Sequence, residues 1–203
     1  MRLFVTGIGT EVGKTIIAAI LTEALEADYW KPIQAGDLHH SDTDKVKALV
    51  TNNRSIFYKE AFCLQQPMSP HAAAEKDGIN VHLSNIRAPK TNNHLIIEGA
   101  GGLMVPLNYE DCIIDLILQL NCEVVLVSRN YLGSINHTLL SIEALQKRGI
   151  LIKGIIFNGA ENKETEKVIL KMANVSLLGR VWEEKGFDPI VIRKYAAQFK
   201  ESL

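Results

Sequence analysis

The chain has 203 residues, enough for one α/β domain and short of two ordinary ones. Charges nearly cancel, with 22 Lys and Arg against 23 Asp and Glu, so no broad cationic field draws nucleic acid or anionic lipid, although a local cluster of cations can still hold phosphate. Three cysteines without a CxxC pair, Cys63, Cys112 and Cys122, supply neither a disulfide framework nor a zinc site and read as reduced thiols.

Leu3–Thr6 reads as a buried strand, followed by a glycine-rich loop and a helix from about Lys14 to Glu26, with Ile16, Ile17, Ile20, Leu21 and Leu25 at helical spacing. Tyr29–Lys31 is a short strand stopped by Pro32. Asp42–Val50 is a helix with Ser41 or Asp42 as its N-cap. The stretch from about Tyr58 to Lys90 is the least regular and reads as short helices and loops. His94–Glu98 is a strand ending in Gly99-Ala100-Gly101-Gly102. Further strands follow at Val124–Val127, Ile150–Phe157 and Leu177–Trp182, and helices at Ile135–Lys147, Glu164–Ala173 and Pro189–Lys200. Apolar runs without strict alternation indicate strands covered on both faces, and their alternation with helices indicates βαβ crossovers. The expected fold is therefore α/β, a mostly parallel central sheet flanked by helices on both faces, in one domain over residues 1–203. No apolar run reaches the roughly 18 residues that span a bilayer. The residues after Arg2 lack the apolar core of a signal peptide, so a cytoplasmic protein is expected, with no membrane and no nucleic-acid partner.

In a parallel sheet, ligands sit beyond the carboxyl ends of the strands. Gly7-Ile8-Gly9-Thr10-Glu11-Val12-Gly13-Lys14-Thr15 lies at such an end and leads into a helix. Glycines let backbone N–H groups wrap phosphate oxygens, and the helix start adds partial positive charge. Lys14 can reach the β- and γ-phosphates, and the Thr15 hydroxyl can ligate Mg²⁺. Five residues separate Gly7 from Gly13, where the common phosphate loop has four. The loop is one residue longer but otherwise marks a P-loop NTPase type of fold. Glu98, at the end of a buried strand, is a candidate Mg²⁺ contact or an ordinary strand-end residue. Lys31 either points into the same crevice, where it can neutralise charge on a transferred phosphoryl group, or is a solvated strand-end lysine. Asp42 and Asp44 are both candidates for the metal, and Asp42 alternatively only caps a helix.

These segments together resemble dethiobiotin synthetase. The resemblance rests on Phe-Val-Thr-Gly at 4–7, Thr-Glu-Val-Gly-Lys-Thr at 10–15 and Lys-Pro-Ile-Gln at 31–34. It continues in Ser-Pro-His at 69–71, Glu-Gly-Ala-Gly-Gly-Leu at 98–103, Val-Pro-Leu at 105–107, Leu-Gly-Ser-Ile-Asn-His at 132–137 and Asn158. It implies an ATP-dependent cyclo-ligase of biotin biosynthesis that joins CO₂ to 7,8-diaminononanoate, with Mg²⁺ as cofactor and ATP as co-substrate. The diamine captures CO₂ as a carbamate, ATP phosphorylates it, and the second amine closes the ring, releasing ADP and phosphate. Lys31, Lys14 and Thr10 are then the catalytic candidates. Glu11, Val12, Gly13, Lys14, Thr15, Ile16, Asp42, Glu98, Gly99, Ala100, Gly101 and Asn158 are the ATP-binding set, and Thr15, Asp42 and Glu98 the metal set, with Asp42 preferred over Asp44. The substrate set is Ala35, Ser69, Gly133, Ser134, Ile135 and Asn136. The family forms homodimers, which places the residues from Gly133 to Asn136 across a subunit interface. Where the family often has a hydroxyl residue this chain has Ala35, and the family's Pro-Trp after the last strand is Val181-Trp182. Two rivals share the phosphate loop. One is an ATPase switch of the partitioning or sorting type, which usually carries an extra lysine at the start of the loop, absent from Thr6-Gly7-Ile8. The other is an amide-forming synthase with a glutaminase domain, for which the chain has no room.

Overall fold

The computed structural model describes residues 1–203. Its central sheet has seven strands, β1 (Arg2–Gly7), β2 (Asp28–Trp30), β4 (Phe57–Tyr58), β6 (Leu95–Gly102), β7 (Glu123–Arg129), β8 (Ile152–Asn158) and β9 (Leu177–Val181). They lie in the order β4-β2-β6-β1-β7-β8-β9, and every neighbouring pair is parallel. The chain fills one side of β1 with β2, β4 and β6, then the other with β7, β8 and β9. The reversal falls at β1, so the loop after β1 opens into the crevice where such sheets hold ligands.

Side chains alternate across the sheet with the two-residue period of a strand. Leu3 and Val5 pack with Ile17 and Ile20 of α1 (Lys14–Leu25) and with Ile192 and Tyr195 of α7 (Pro189–Phe199). Phe4 faces the other way, into the cluster that holds Ile113 and Ile117 of α4 (Ile113–Leu120), Ile142 of α5 (Ser134–Lys147) and Ile169 of α6 (Lys163–Ala173). Each fully buried Leu, Ile or Phe contributes roughly 1.5–3 kcal/mol. β1 is therefore anchored on both faces, which fixes where the phosphate loop begins.

The structure adds elements to the expected set. Helix α4 was not anticipated: Ile-Ile-Asp-Leu-Ile-Leu-Gln-Leu is too short and too uniformly apolar for its period to be read. Pro32 ends the second main-sheet strand but does not end the extended chain. Its carbonyl accepts from the Ala61 and Phe62 N–H groups at 2.8 and 3.0 Å. That exchange starts a separate parallel pair, β3 (Ile33–Ala35) and β5 (Phe62–Leu64). The irregular stretch also holds α3 (Pro70–Asp77). Helix α2 (Asp42–Leu49) has Ser41 as its N-cap, with the Asp44 backbone N–H donating to Ser41 Oγ at 3.2 Å and Asp44 Oδ2 accepting from the Ser41 backbone N–H at 3.0 Å. Ser41, not Asp42, is therefore the cap, and Asp44 completes the capping box from the third helical position. No helix is long and apolar enough to cross a membrane.

Candidate active site

Beyond the carboxyl ends of β1, β2, β3 and β6 lies a cleft of about 670 Å³. Thr10, Glu11, Gly13, Lys14, Thr15, Lys31, Ala35, Asp42, Ser69, Glu98, Ala100 and Gly101 all line it. Lys14 and Lys31 share this one cavity, and Lys31, 4% exposed, is a crevice residue and not a solvated strand-end lysine.

Glu98 is the hub, 1% exposed. Its Oε1 accepts from Thr15 Oγ1 at 2.8 Å and from Lys31 Nζ at 3.0 Å, and its Oε2 accepts from Tyr29 OH at 2.8 Å. Lys31, 4% exposed, also donates to Asp42 Oδ2. Burial alone would favour a neutral amine, but the Glu98 and Asp42 carboxylates outweigh it and hold the Lys31 pKa above the ordinary lysine value. Burial, and next the Glu98 charge, push the Tyr29 hydroxyl well above the ordinary tyrosine value, so it stays a donor. Asp42 is also opposed by burial, yet the Lys31 and Lys45 ammonium groups draw its carboxyl below the usual range. Asp44 lies outside the cleft, with its Oδ2 accepting from Ser41 Oγ at 2.8 Å. Asp42 is thus the one of the two that the cleft can use.

Lys14 is 8% exposed and donates to Gly9 O at 2.8 Å, across the arch of its own loop. Burial lowers its pKa to about 8; Glu98 opposes the shift and Lys31 adds to it. The unfolded chain, with lysine at 10.5, binds more protons than the folded one between about pH 8 and 10.5. The free protein therefore gains stability with rising pH across that window, by about 3 kcal/mol in all. Nucleotide phosphates favour the charged amine. At pH 8, ADP binding is expected to take up about half a proton, measured by calorimetry in two buffers of different ionisation enthalpy. Lys14→Met abolishes the uptake; uptake retained in that variant would assign it to another group.

Gly13 has φ 95° and ψ 23° as the residue before α1. A Cβ there would come within 2.2 Å of Asn158 Nδ2, which itself donates to Val12 O at 2.9 Å. Asn158 therefore reaches the phosphate loop from the far side and clamps its backbone, away from the cleft lining. Val12 turns its side chain into the core and offers only its backbone, and Ile16 packs beside the same core. Gly99 is buried against Phe4, where a Cβ would lie 2.7 Å from the ring. Gly133, Ser134, Ile135 and Asn136 do not line the cleft. Gly133 precedes α5 with φ 102°. Ser134 is buried, its Oγ accepting from the Tyr131 N–H at 3.3 Å and its N–H donating to Tyr131 O at 3.0 Å. The Ile135 and Asn136 N–H groups, in the first helical turn, are left without intrahelical acceptors.

Four residues that complete the site were not singled out from the sequence. A tyrosine in a fully buried strand needs a partner for its hydroxyl, and that was the available signal for Tyr29. Gln34 accepts from the Asp42 N–H at 3.2 Å and so sets the start of α2. Lys45 and Asp37 meet at the cleft wall, with Nζ 2.6 Å from Oδ2. Lys45 lies three positions after Asp42 on the helix, which was its signal; Asp37 had none.

The donor set suits a hard cation. Thr15, Asp42 and Glu98 offer oxygens alone, and Lys31 already sits as a positive charge between Glu98 and Asp42. Two carboxylates and a hydroxyl match Mg²⁺, which takes its remaining ligands from phosphate and water.

A parallel sheet with a phosphate loop after its central strand, a lysine and threonine opening the next helix, and a carboxylate facing them from the neighbouring strand defines a P-loop nucleotide-binding protein. Solved structures agree on the fold. The septum site-determining protein MinD from Pyrococcus horikoshii aligns with TM-score 0.62 at 17% identity over 100% of this chain and 94% of its own. A putative plasmid partition protein from Borrelia burgdorferi gives 0.60 at 10% identity over 99% and 97%. A family described as an AAA domain matches residues 1–190. The ATP-dependent dethiobiotin synthetase BioD of Christiangramia forsetii is 60% identical over 200 residues, covering 98% of this chain and 96% of the relative. That of Cytophaga hutchinsonii is 49% identical over 198 residues, covering 97% and 96%. The chain belongs to the dethiobiotin synthetase family.

Proposed function

We propose that this protein is an ATP-dependent ligase that makes dethiobiotin from 7,8-diaminononanoate, CO₂ and ATP, with residues 1–203 acting as one synthetase domain in the cytoplasm. The observation that carries the reading is the joint presence of Lys14, Lys31, Thr15, Asp42 and Glu98 on one cleft, in a chain 60% identical to a protein named for that activity.

The chemistry follows from the charges. Only a neutral amine attacks CO₂, and two nearby ammonium groups disfavour a third, which lowers the pKa of the bound diamine. The amine nitrogen bonds to the carbon of CO₂ and loses a proton, giving a carbamate whose oxyanion Lys31 and Lys14 stabilise. The carbamate oxygen attacks the γ-phosphorus, and the bond to the β-γ bridging oxygen breaks to release ADP. The second amine attacks the mixed anhydride and expels phosphate, which closes the cyclic urea. Lys14, at the loop, and Lys31, between the acids, neutralise the charge that develops on the transferred phosphoryl group. Thr10 stands at the mouth of the loop for the carbamate. Mg²⁺ held by Thr15, Asp42 and Glu98 would screen the phosphate charge. Glu11, Val12, Gly13, Ile16, Gly99, Ala100 and Gly101 supply backbone around the phosphates, and Asn158 keeps its amide oxygen for the adenine edge. Ala35 and Ser69 border the substrate end of the cleft.

A homodimer fits the exposed apolar surface at α5. Leu132 is fully exposed, and Tyr131, Ile135 and Leu140 are exposed beside it. A partner covering this face would bring its own Gly133–Asn136 turn to the diamine's carboxylate.

Phosphate release from ATP is expected to need both the diamine and bicarbonate, with dethiobiotin detected by mass spectrometry. ATP turnover that ignores the diamine and responds to a protein partner or lipid would favour the partitioning-type switch instead.

A further inference from the structure

Asp42 is held by two cations. Lys31 donates to its Oδ2, while Lys45, one turn along α2, donates to its Oδ1 at 3.3 Å. The two lysines differ in freedom. Lys31 is buried, and its second partner, Glu98, is also a metal candidate. Lys45 has a side chain 33% exposed and a second partner that takes no part in the metal set, Asp37 Oδ2 at 2.6 Å. Asp37, with a side chain 55% exposed, is placed by its backbone. It has φ 54°, a left-handed conformation unusual for a residue other than glycine. It follows Gly36, whose close packing on Pro67 pins the turn to the opposite wall of the cleft. One ammonium thus hangs between a carboxylate that would hold the metal and one that would not.

We infer that Lys45 is a positioning residue that opposes Mg²⁺ at Asp42, and that Asp37 is the site to which its ammonium withdraws when the metal arrives. The inference rests on the reading of Asp42 as a metal ligand. A divalent cation at the Asp42 oxygens meets the Lys45 charge at short range, where the repulsion is only partly screened. Lys31 already fixes the other Asp42 oxygen, so the loss of Lys45 removes repulsion without freeing the carboxylate to wander. A bare cleft then resists free metal, and the phosphates of an arriving nucleotide tip the balance by adding their own ligands.

The test measures ADP binding to the full chain by calorimetry, and the Mg²⁺ concentration that gives half of the metal's effect at saturating ADP. Lys45→Met keeps the aliphatic stem and removes the charge; its half-saturating Mg²⁺ is expected to fall by about three- to tenfold. Asp37→Asn leaves Lys45 with Asp42 alone and is expected to raise it. A general loss of structure would not move two neighbouring variants in opposite directions. A half-saturating concentration in Lys45→Met that is unchanged or higher overturns the inference. Asp42→Asn separates this from failure of the underlying reading: if the metal strengthens ADP binding equally in wild type and Asp42→Asn, or in neither, Asp42 is not a ligand and the metal assignment itself falls.

Discussion

Lys31→Met is expected to lower dethiobiotin formation by about a hundred- to a thousandfold, the usual cost of losing a preorganised charge at a developing anion. No other cation contacts both Glu98 and Asp42, and methionine fills the space without replacing the charge. The variant also loses stability, because Glu98, 1% exposed, is left without its cationic partner. Breaking a buried ion pair from one side costs about 3–5 kcal/mol, against the roughly 5–15 kcal/mol that a domain has in total. The protein should therefore remain folded at 25 °C with a lowered Tm, and the activity loss can be read on folded material. Dethiobiotin measured by mass spectrometry under saturating substrates checks the first part, and thermal unfolding the second. Full activity together with a lowered Tm would make Lys31 a structural lysine and end the ligase assignment.

Glu98→Gln is expected to be the second most damaging change, with about a hundredfold loss in kcat and a stability loss of about 1–3 kcal/mol. The carboxylate accepts on both oxygens, from Thr15 and Lys31 on one and from Tyr29 on the other. An amide has one accepting oxygen. With the amide oxygen kept toward Lys31 and Thr15, the NH₂ donates to the Tyr29 oxygen, and the Tyr29 proton, which had Oε2 as its acceptor, is left unpaired in a buried site. Lys31 keeps Asp42 as its one anionic partner. Tyr29→Phe alone removes the same hydrogen bond but keeps the Glu98 charge, so kcat should change far less than in Glu98→Gln. Denaturant unfolding of the two single variants, with turnover measured in parallel, tests both halves. A kcat loss in Tyr29→Phe as large as that in Glu98→Gln would show that the hydrogen bond, and not the charge, is what the reaction needs from Glu98.

Much of this molecule could be read from local signals, because those signals are local in origin. The phosphate loop is a run of backbone conformations that glycine and a following helix start dictate within nine residues. The main-sheet strands are apolar runs long enough to show burial on both faces, and the longer helices carry full turns of period. Where the period is cut short, as in the eight residues of α4, or where a proline marks a change of sheet rather than an end, as at Pro32, the pattern underdetermines the structure.

The sequence by itself determined the α/β class, the position of the phosphate loop and the residue types that gather around it. Only the tertiary structure decided which of those residues meet. Asp42 and Asp44 are two positions apart and chemically identical, but capping geometry turns one outward and leaves the other facing Lys31. Tyr29, Lys31 and Glu98 come together because β2 and β6 are neighbours in the sheet, 69 residues apart between Tyr29 and Glu98. Contacts of that kind depend on strand order, which follows from how the whole chain buries its apolar surface and leaves no mark in any short stretch of it.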